Sequence, residues 1–468
     1  MSVPFLARDV VEWTGGDLLQ GEEATRFDGV SIDSRTVASP QLFVAIRGPT
    51  HDGHLFLDSA LAAGAAGLLI ERGRERPRTA TPALPVIAVD DTTRSLGALA
   101  AGHRRCFEGP VVAITGSNGK STTKEMCAAI FSELGPCLKN RGNLNNRFGL
   151  PLTLLEREAE HRALVVEIAM NHRGEIAPLA AIASPNVAAI TNVGTAHIEF
   201  LVSRDAIAAE KGDLIAALDE DGVAVLNADD HRVMAQAERT RARIFRFGRH
   251  AEAEVRAERI TSLGERGFAF DLVTETARVS VHVAGLGEPT VSNALAAGAA
   301  ALAAGAPLES VAEGLARYQP MSGRMERVSL PRNIILINDT YNANPQSMEV
   351  ALRSLTELKG ESRGVAVLGD MGELGSSAGT AHRATGALVA ELGLDFLFTL
   401  GQFASDIADG ATEAGMDPHR VHVGHSHDET SGELRQILQG NDWVLVKGSR
   451  SMQMERVVEA LTRGGDPR

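Results

Sequence analysis

Residues 111–122 read Val-Val-Ala-Ile-Thr-Gly-Ser-Asn-Gly-Lys-Ser-Thr, an apolar run that feeds a glycine-framed turn and then opens a helix. This order of strand, turn and helix constrains the fold strongly, because a loop that cradles phosphate must aim its backbone N–H groups and a helix N-terminus at one anion. Gly116 and Gly119 free the backbone to turn, Ser117 and Asn118 lie between them, and Lys120 adds a full positive charge. Ser121 is placed to hold magnesium, and Thr122 follows on the first helical turn. The common form of the motif leaves four residues between its first glycine and Gly-Lys-Ser; here Gly116 is followed by two, and Ile114 stands where the first glycine would be. The loop is a shortened variant. Its plain alternative is a Gly-Asn turn before a helix, and the apolar face Cys127, Ile130, Phe131 and Leu134 supplies the helical context that favours the cradle.

A chain of 468 residues exceeds one ordinary core and is expected to form about three domains. Hydrophobic residues make up 44% and charged residues 23%, a globular composition. The formal charge of −14 argues against nucleic acid as a general partner, since a phosphate backbone needs a basic face. The opening Met-Ser-Val-Pro-Phe-Leu-Ala-Arg-Asp lacks a basic segment before an apolar one, so a cytoplasmic location is expected. Cys106, Cys127 and Cys137 form neither an even disulfide set nor a Cys-x-x-Cys metal spacing and are expected to be buried thiols. The Ala-rich stretch from Val291 to Leu308 contains Ser292 and Asn293 and reads as a tightly packed helix, not a membrane span.

The fold class expected is α/β in three domains. Residues 1–107 hold short apolar runs and helices of a small mixed α/β domain, ended by Glu108-Gly109-Pro110. Residues 108–320 alternate apolar runs (111–115, 164–168, 187–193, 223–226) with helical segments, the pattern of a central P-loop ATPase-like parallel sheet covered by helices. The piece from Arg241 to Val283 reads as an antiparallel extension of it. Residues 321–468 repeat the alternation as a Rossmann-like α/β domain with runs at 334–338, 365–368, 396–400, 421–423 and 443–446. No G-x-G-x-x-G fingerprint occurs, which disfavours nicotinamide chemistry.

Ligands of such sheets sit beyond the carboxyl ends of the strands. Glu167 ends the second central run, and the third leads to His197; with Ser121 they suit a magnesium–nucleotide site, because magnesium takes one or two protein ligands beside phosphate oxygens. Lys211 shares a helical stripe with Ile207, Leu214, Ile215 and Leu218, which puts a lysine on an apolar face. Either it snorkels to water, or its amine is depressed, nucleophilic and able to form a carbamate that binds magnesium. In the third domain, polar clusters follow strands: Asn338 to Pro345, Gly369 to Glu373, and Lys447-Gly448-Ser449-Arg450. Turn chemistry explains their Asn, Asp, Gly and Pro. Tyr341, Lys447 and Arg450 exceed that need, and the two cations suit an anionic substrate. Arg324, at the domain junction, either reaches a γ-phosphate on closure or is a surface linker residue.

Together these clusters resemble the Mur ligase family of ATP-dependent amide ligases, nearly end to end. The resemblance rests on the shortened loop Thr115 to Thr122, on Gly142-Asn143-Leu144-Asn145-Asn146, on Asn171-His172-Arg173-Gly174-Glu175-Ile176, on Asp339 to Pro345, on Leu368 to Gly375 and on Lys447 to Met452. It implies that ATP activates the tripeptide carboxylate of UDP-N-acetylmuramoyl-tripeptide as an acyl phosphate, which the amine of D-alanyl-D-alanine then attacks in the cytoplasm, with the chain acting as a monomer. The same resemblance implies that Lys120 binds the β- and γ-phosphates, that Ser121, Glu167, His197 and carbamylated Lys211 serve Mg2+, and that Asn293 and Asp339 hold adenosine with Arg324 on the phosphate side. Ser34-Arg35 and Asp52-Gly53-His54 would anchor the uridine nucleotide, while Asn143, Tyr341, Asn342, Asn344, Lys447 and Arg450 would meet the other substrate groups. After Glu167 the family commonly has Met-Gly, where this chain has Ile168-Ala169. The rivals are a ligase adding one amino acid, including the folylpolyglutamate synthase type, and a nucleotide switch, for which the Asn-Lys-x-Asp base-reading segment is missing.

Overall fold

The computed structural model describes residues 2–77 and 79–463; residues 1, 78 and 464–468, which fall in the expected first and third domains, lie outside them. The chain begins with β1 (Phe5–Leu6), α1 (Ala7–Thr14), β2 (Asp17–Gln20), β3 (Arg26–Phe27), β4 (Val30–Ser31), β5 (Leu42–Val44), α2 (Leu57–Ala63), β6 (Gly67–Glu71), β7 (Val86–Val89) and α3 (Thr92–Arg105). Strands order as β2-β7-β6-β5-β4, parallel except at β2, while β1 and β3 form a separate antiparallel pair. β6 and β7 are apolar without alternation because both faces are covered. The Asp91 carboxylate caps α3 through Arg94 N at 2.8 Å. Further along α3, the buried ring of His103 contacts Val3 O at 3.0 Å and Leu154 O at 3.2 Å, joining the chain start to the central region.

The central region runs β8 (Val111–Thr115), α4 (Lys120–Ser132), β9 (Cys137–Lys139), α5 (Gly149–Leu155), β10 (Ala163–Glu167), α6 (Ile176–Ala183), β11 (Val187–Ile190), α7 (Ile198–Leu201), α8 (Arg204–Ala216), β12 (Val223–Asn227), α9 (His231–Met234), β13 (Arg243–Gly248), β14 (Val255–Ser262), β15 (Phe268–Val273), β16 (Arg278–Val283), α10 (Pro289–Ala303) and α11 (Leu308–Arg317). The sheet order is β16-β15-β14-β13-β12-β11-β8-β10-β9. β10 and β11 flank β8 on opposite sides, so the strand order reverses there and three adjacent strand ends open on one crevice. The third region holds β17 (Glu326–Leu330), β18 (Ile334–Asp339), α12 (Pro345–Lys359), β19 (Gly364–Gly369), α13 (Ala378–Glu391), β20 (Phe396–Leu400), α14 (Ala404–Glu413), β21 (Val421–Gly424), α15 (His427–Ile437), β22 (Trp443–Lys447) and α16 (Glu455–Arg463), ordered β17-β18-β22-β19-β20-β21. Only β17 is antiparallel in this sheet.

The α/β class and the alternation stand as expected; four local readings are corrected. The extension after Arg241 starts parallel: β13 pairs parallel with β12, β14 pairs parallel with β13, and antiparallel pairing begins at β14–β15. β17 has no counterpart among the expected runs, because Glu-Arg-Val-Ser-Leu alternates polar and apolar residues at a sheet edge. Leu134 lies past the end of α4 and is 44% exposed, since the chain turns away at Gly135. Of the three thiols Cys127 is buried, Cys137 is half-buried and Cys106, just beyond α3, is exposed.

The Ala-rich stretch forms α10, which is buried along most of its length, and no helix among the described residues is long and apolar enough to cross a membrane. α10 and α11 both pack on α4, the helix that leaves the phosphate loop. The α11 backbone comes so close that a Cβ at Gly314 would stand 2.3 Å from Ile130 Cα. Gly314→Ala should therefore destabilise the protein by about 1–3 kcal/mol through overpacking against backbone. Gly432→Ala, in α15 with open space around the position, should instead be neutral or stabilising by up to about 1 kcal/mol. Urea unfolding of the two variants beside the parent protein reads both effects.

Candidate active site

The phosphate loop leaves β8 and is held from the side by the segment after β11. Ser117 N donates to Asn192 O at 2.9 Å, Asn118 N to Asn192 Oδ1 at 2.9 Å, and Thr191 Oγ1 to Asn118 O at 2.7 Å. Gly119 has a φ of +80°, and a Cβ there would stand 2.1 Å from Asn293 Oδ1 on α10. The loop thus needs glycine for its conformation, and a side chain there would displace the Asn293 amide on α10. Lys120 Nζ donates to Gly116 O at 2.9 Å and Ser117 O at 3.1 Å, folding over its own loop. Burial pushes its ammonium pKa down, and neighbouring Arg324 adds to the effect.

Ser121 Oγ donates to Glu167 Oε2 at 2.6 Å and accepts from Arg324 Nη2 at 2.8 Å. The second Glu167 oxygen accepts from Asn145 Nδ2 at 2.8 Å. Arg324 also lies 3.9 Å over the ring of Tyr341. The junction arginine therefore points into the central site and is no surface linker residue. Other bonds bring the third region to the loop: Asn344 Nδ2 donates to Asn118 Oδ1 at 2.9 Å, and Asn118 Nδ2 to Gln346 Oε1 at 3.2 Å. Asn344 also caps α12 through Ser347 N at 2.9 Å.

His197 sits at a φ of +65°, with Nδ1 2.5 Å from Glu373 Oε2 in a contact too bent for a linear hydrogen bond. Glu373 itself has a φ of +59°, and the His197 contact holds its carboxyl below the usual range. Lys447, expected to offer its charge to an anionic substrate, is instead buried and paired with Asp339 Oδ2 at 2.5 Å, with Asn342 O at 2.9 Å. Strand register makes this pairing, since Asp339 and Lys447 are partners across β18 and β22. The other Asp339 oxygen accepts Met325 N at 3.0 Å. Arg450 is exposed and paired with Glu455 at 2.8 Å.

Around these groups lies a cavity of about 1460 Å³ between the central and third regions. Its wall includes Ser117 to Thr122, Asn143, Glu167, His197, Asn293, Arg324, Asp339, Tyr341, Asn342, Asn344, Lys447 and Arg450. Ser34, Arg35, Asp52, Gly53 and His54 lie in the first region, away from that wall. Arg35 clamps Asp33 with both arms at 2.9 and 2.7 Å and lowers its carboxyl pKa to about 2. His54 Nδ1 meets Asp52 Oδ1 at 2.6 Å while its Nε2 accepts Glu71 N at 2.9 Å, a pairing that fixes the tautomer and pins this loop to β6.

Lys211 is buried behind the cavity wall and does not snorkel. Burial holds its ammonium well below its ordinary pKa, and repulsion from Lys120 deepens the shift; Glu210 and Glu167 oppose it. Glu210 faces elsewhere, accepting Gly174 N, Glu175 N and Ile176 N at 2.8 to 3.0 Å and so fixing the Asn171 to Ile176 segment.

The converging hydroxyl and carboxylate of Ser121 and Glu167 are hard oxygen donors that fit magnesium. Among the described residues no three His, Cys, Asp or Glu side chains form an all-protein metal cluster, an arrangement that a phosphate-bound magnesium does not need. Residues 114–301 match the family described as Mur ligase middle domain, residues 323–450 Mur ligase, glutamate ligase domain, and residues 26–104 Mur ligase family, catalytic domain. A protein of Escherichia coli (strain K12) named UDP-N-acetylmuramoyl-tripeptide--D-alanyl-D-alanine ligase is 36% identical over 452 residues, covering 96% of each chain. The chain belongs to the Mur ligase family. Among solved Mur ligases, a crystal structure of MurF from Acinetobacter baumannii superposes with a TM-score of 0.89 at 34% identity, over 99% of this chain and 100% of that one. A MurF ligase from Thermotoga maritima in complex with ADP gives 0.81 at 26% identity, covering 93% and 97%.

Several residues of this Mur ligase site escaped the sequence reading. Asn145 and Glu373 stood inside recognised motifs, but nothing in their spacing pointed to Glu167 or His197. Lys124 carried a signal: it follows Lys120 by one helical turn among buried neighbours such as Thr123, Met126 and Cys127. Lys211 yields a stability prediction. In bicarbonate-free buffer, Lys211→Met should be more stable than the parent protein, because the buried ammonium is costly. The penalty is fully present below the depressed pKa and vanishes as pH approaches the ordinary lysine value of 10.5, so the gap in urea unfolding free energy should narrow as pH rises.

Proposed function

We propose that this Mur ligase joins D-alanyl-D-alanine to the tripeptide carboxylate of UDP-N-acetylmuramoyl-tripeptide at the expense of ATP, yielding ADP, phosphate and the UDP-linked pentapeptide precursor of the cell wall. The observation that carries the reading is the meeting of Ser121, Glu167 and Arg324 beside Lys120 beyond β8. Groups from two regions surround a single position suited to the terminal phosphate of a nucleotide. The ADP-bound relative and the curated ligase support the same assignment.

A carboxylate is a poor electrophile, so a carboxylate oxygen of the tripeptide attacks the γ-phosphorus and ADP leaves, giving an acyl phosphate. Lys120 and Arg324 neutralise the crowded oxygens. Ser121, Glu167, His197 and carbamylated Lys211 would hold magnesium, which would supply further charge neutralisation on the phosphate oxygens. The D-alanyl-D-alanine amine then attacks the acyl carbon, phosphate departs and the amine loses a proton. Asn118, Asn344 and Gln346 hold the third region against the loop and keep water from the acyl phosphate. Asn293 and Asp339 are assigned to the adenosine. Asn143, Tyr341, Asn342, Asn344, Lys447 and Arg450 are assigned to the other substrate groups, Lys447 acting by fixing Asp339. The uridine nucleotide is assigned to residues 1–107 through Ser34, Arg35, Asp52, Gly53 and His54, with residues 108–320 and 321–468 as the ATP-binding and ligase domains. The protein is assigned to the cytoplasm as a monomer.

Phosphate release should require both UDP-N-acetylmuramoyl-tripeptide and D-alanyl-D-alanine. Release with the tripeptide and a single amino acid in place of the dipeptide would overturn the assignment. Lys211→Ala should lose turnover by at least about tenfold and recover part of it with added short carboxylates, which replace a carbamate anion. Absence of recovery argues against the carbamate.

A further inference from the structure

We infer that Lys124, Asn140 and Asn145 are positioning residues that hold Glu167 at its working place; this rests on the reading of Glu167 as a magnesium ligand. β9 pairs parallel with β10 only as far as Lys139 and Val165, yet Glu167 lies two residues farther along β10. Its backbone groups on the β9 side would be left without a strand partner. The Asn140 side chain takes the strand's place: its Oδ1 accepts Glu167 N at 2.9 Å, and its Nδ2 donates to Glu167 O at 3.0 Å. The primary amide thus pairs with the Glu167 main chain on both its donor and acceptor sides.

Two further bonds explain why this residue is an asparagine and why it stays in place. Asn140 Nδ2 also donates to Leu144 O at 2.9 Å, tethering the loop that delivers Asn145 Nδ2 to Glu167 Oε1 at 2.8 Å. Asn140 O accepts Lys124 Nζ at 2.6 Å. Lys124 is 1% exposed, balanced by Glu125 Oε1 at 3.0 Å, and sits on α4 one turn beyond Lys120. From the same helix Ser121 Oγ reaches Glu167 Oε2, so the bonds close a circuit: α4 to Asn140, Asn140 to Glu167, Glu167 back to α4. Backbone and both carboxylate oxygens of Glu167 are held at once. Packing alone asks for none of this, because an apolar residue of similar size would fill the space of Asn140; what it would lose is the satisfaction of two buried backbone groups and the aim of the carboxylate.

The test uses the full-length protein with ADP and Mn2+ as the metal probe, its binding followed by electron paramagnetic resonance. Asn140→Asp keeps the shape but replaces the amide donor, Lys124→Met removes the ammonium, and Asn145→Ala removes the donor to Glu167 Oε1 at a half-exposed loop position where folding is not threatened. Each should weaken Mn2+ binding to the ADP complex by about tenfold, with ADP affinity in chelator unchanged and the KM for D-alanyl-D-alanine within about twofold. Lys124→Arg should restore most of the metal affinity. Unchanged Mn2+ affinity in Asn145→Ala, or in whichever of the buried variants still binds ADP, would sink the inference, since a merely structural role lowers the melting temperature and leaves metal affinity alone. Glu167→Gln measured in parallel separates the two failures: if it too leaves Mn2+ affinity unchanged, the fault is in the metal-site reading.

Discussion

Ser121 Oγ lies between a carboxylate 46 residues ahead of it in the chain and a guanidinium 203 residues ahead, at 2.6 and 2.8 Å. A hydroxyl serves here because it is both donor and acceptor, and so can join an anion to a cation that come from different regions of the chain. Glu167 arrives on β10 and Arg324 on the segment before β17, while the serine itself rides on the first turn of α4. Fixing these three in one place sets the seam between the central and third regions. The contacts of Asn118 with Asn344 and Gln346 then follow along the same seam, and the cavity is the space they enclose.

Charge is arranged with economy around that point. Asp339 and Lys447 neutralise each other across neighbouring strands, which fixes the segment carrying Tyr341 and Asn344 without leaving a free ion in the wall. A buried pair of this kind costs desolvation, and its return is geometric: it holds one loop in one place. Lys120 stays folded on its own loop, and burial and Lys120 together hold the Lys211 ammonium pKa well below its ordinary value. The cations facing the cavity that are best placed for phosphate are therefore Lys120 and Arg324, despite a net charge of −14 for the whole chain. The wall also carries Glu167, Asp339 and Glu373, so positive charge is concentrated at one point and does not spread over the cavity.

Legibility in the sequence followed the range of the interaction. The apolar runs of β8, β20 and β22 are buried on both faces, so their continuous hydrophobicity marked them almost to the residue. The stripe that places Lys211 among Ile207, Leu214 and Ile215 was equally plain, as helical spacing is local. Edge strand β17 was missed because half of its residues face water, and the parallel entry of β13 was missed because strand direction depends on where the chain returns, not on the strand's own residues. Lys447 and His54 were read as groups offered to ligands; the tertiary structure adds partners that no local pattern announced, Asp339 for the first, Asp52 and the Glu71 amide for the second.

The residue order by itself determined the phosphate loop, the alternation of three α/β regions and the polar clusters at strand ends, since each depends on neighbours within a turn or a strand. It carried enough of these in sequence to mark the Mur ligase family. Only the tertiary structure decided which clusters meet. Register across β18 and β22 paired Asp339 with Lys447, sheet order set Glu167 beside Ser121, and the stop of β9 short of Glu167 gave Asn140 its role. Such pairings link positions tens to hundreds of residues apart through hydrogen bonds effective only near 3 Å, a distance that no local pattern encodes.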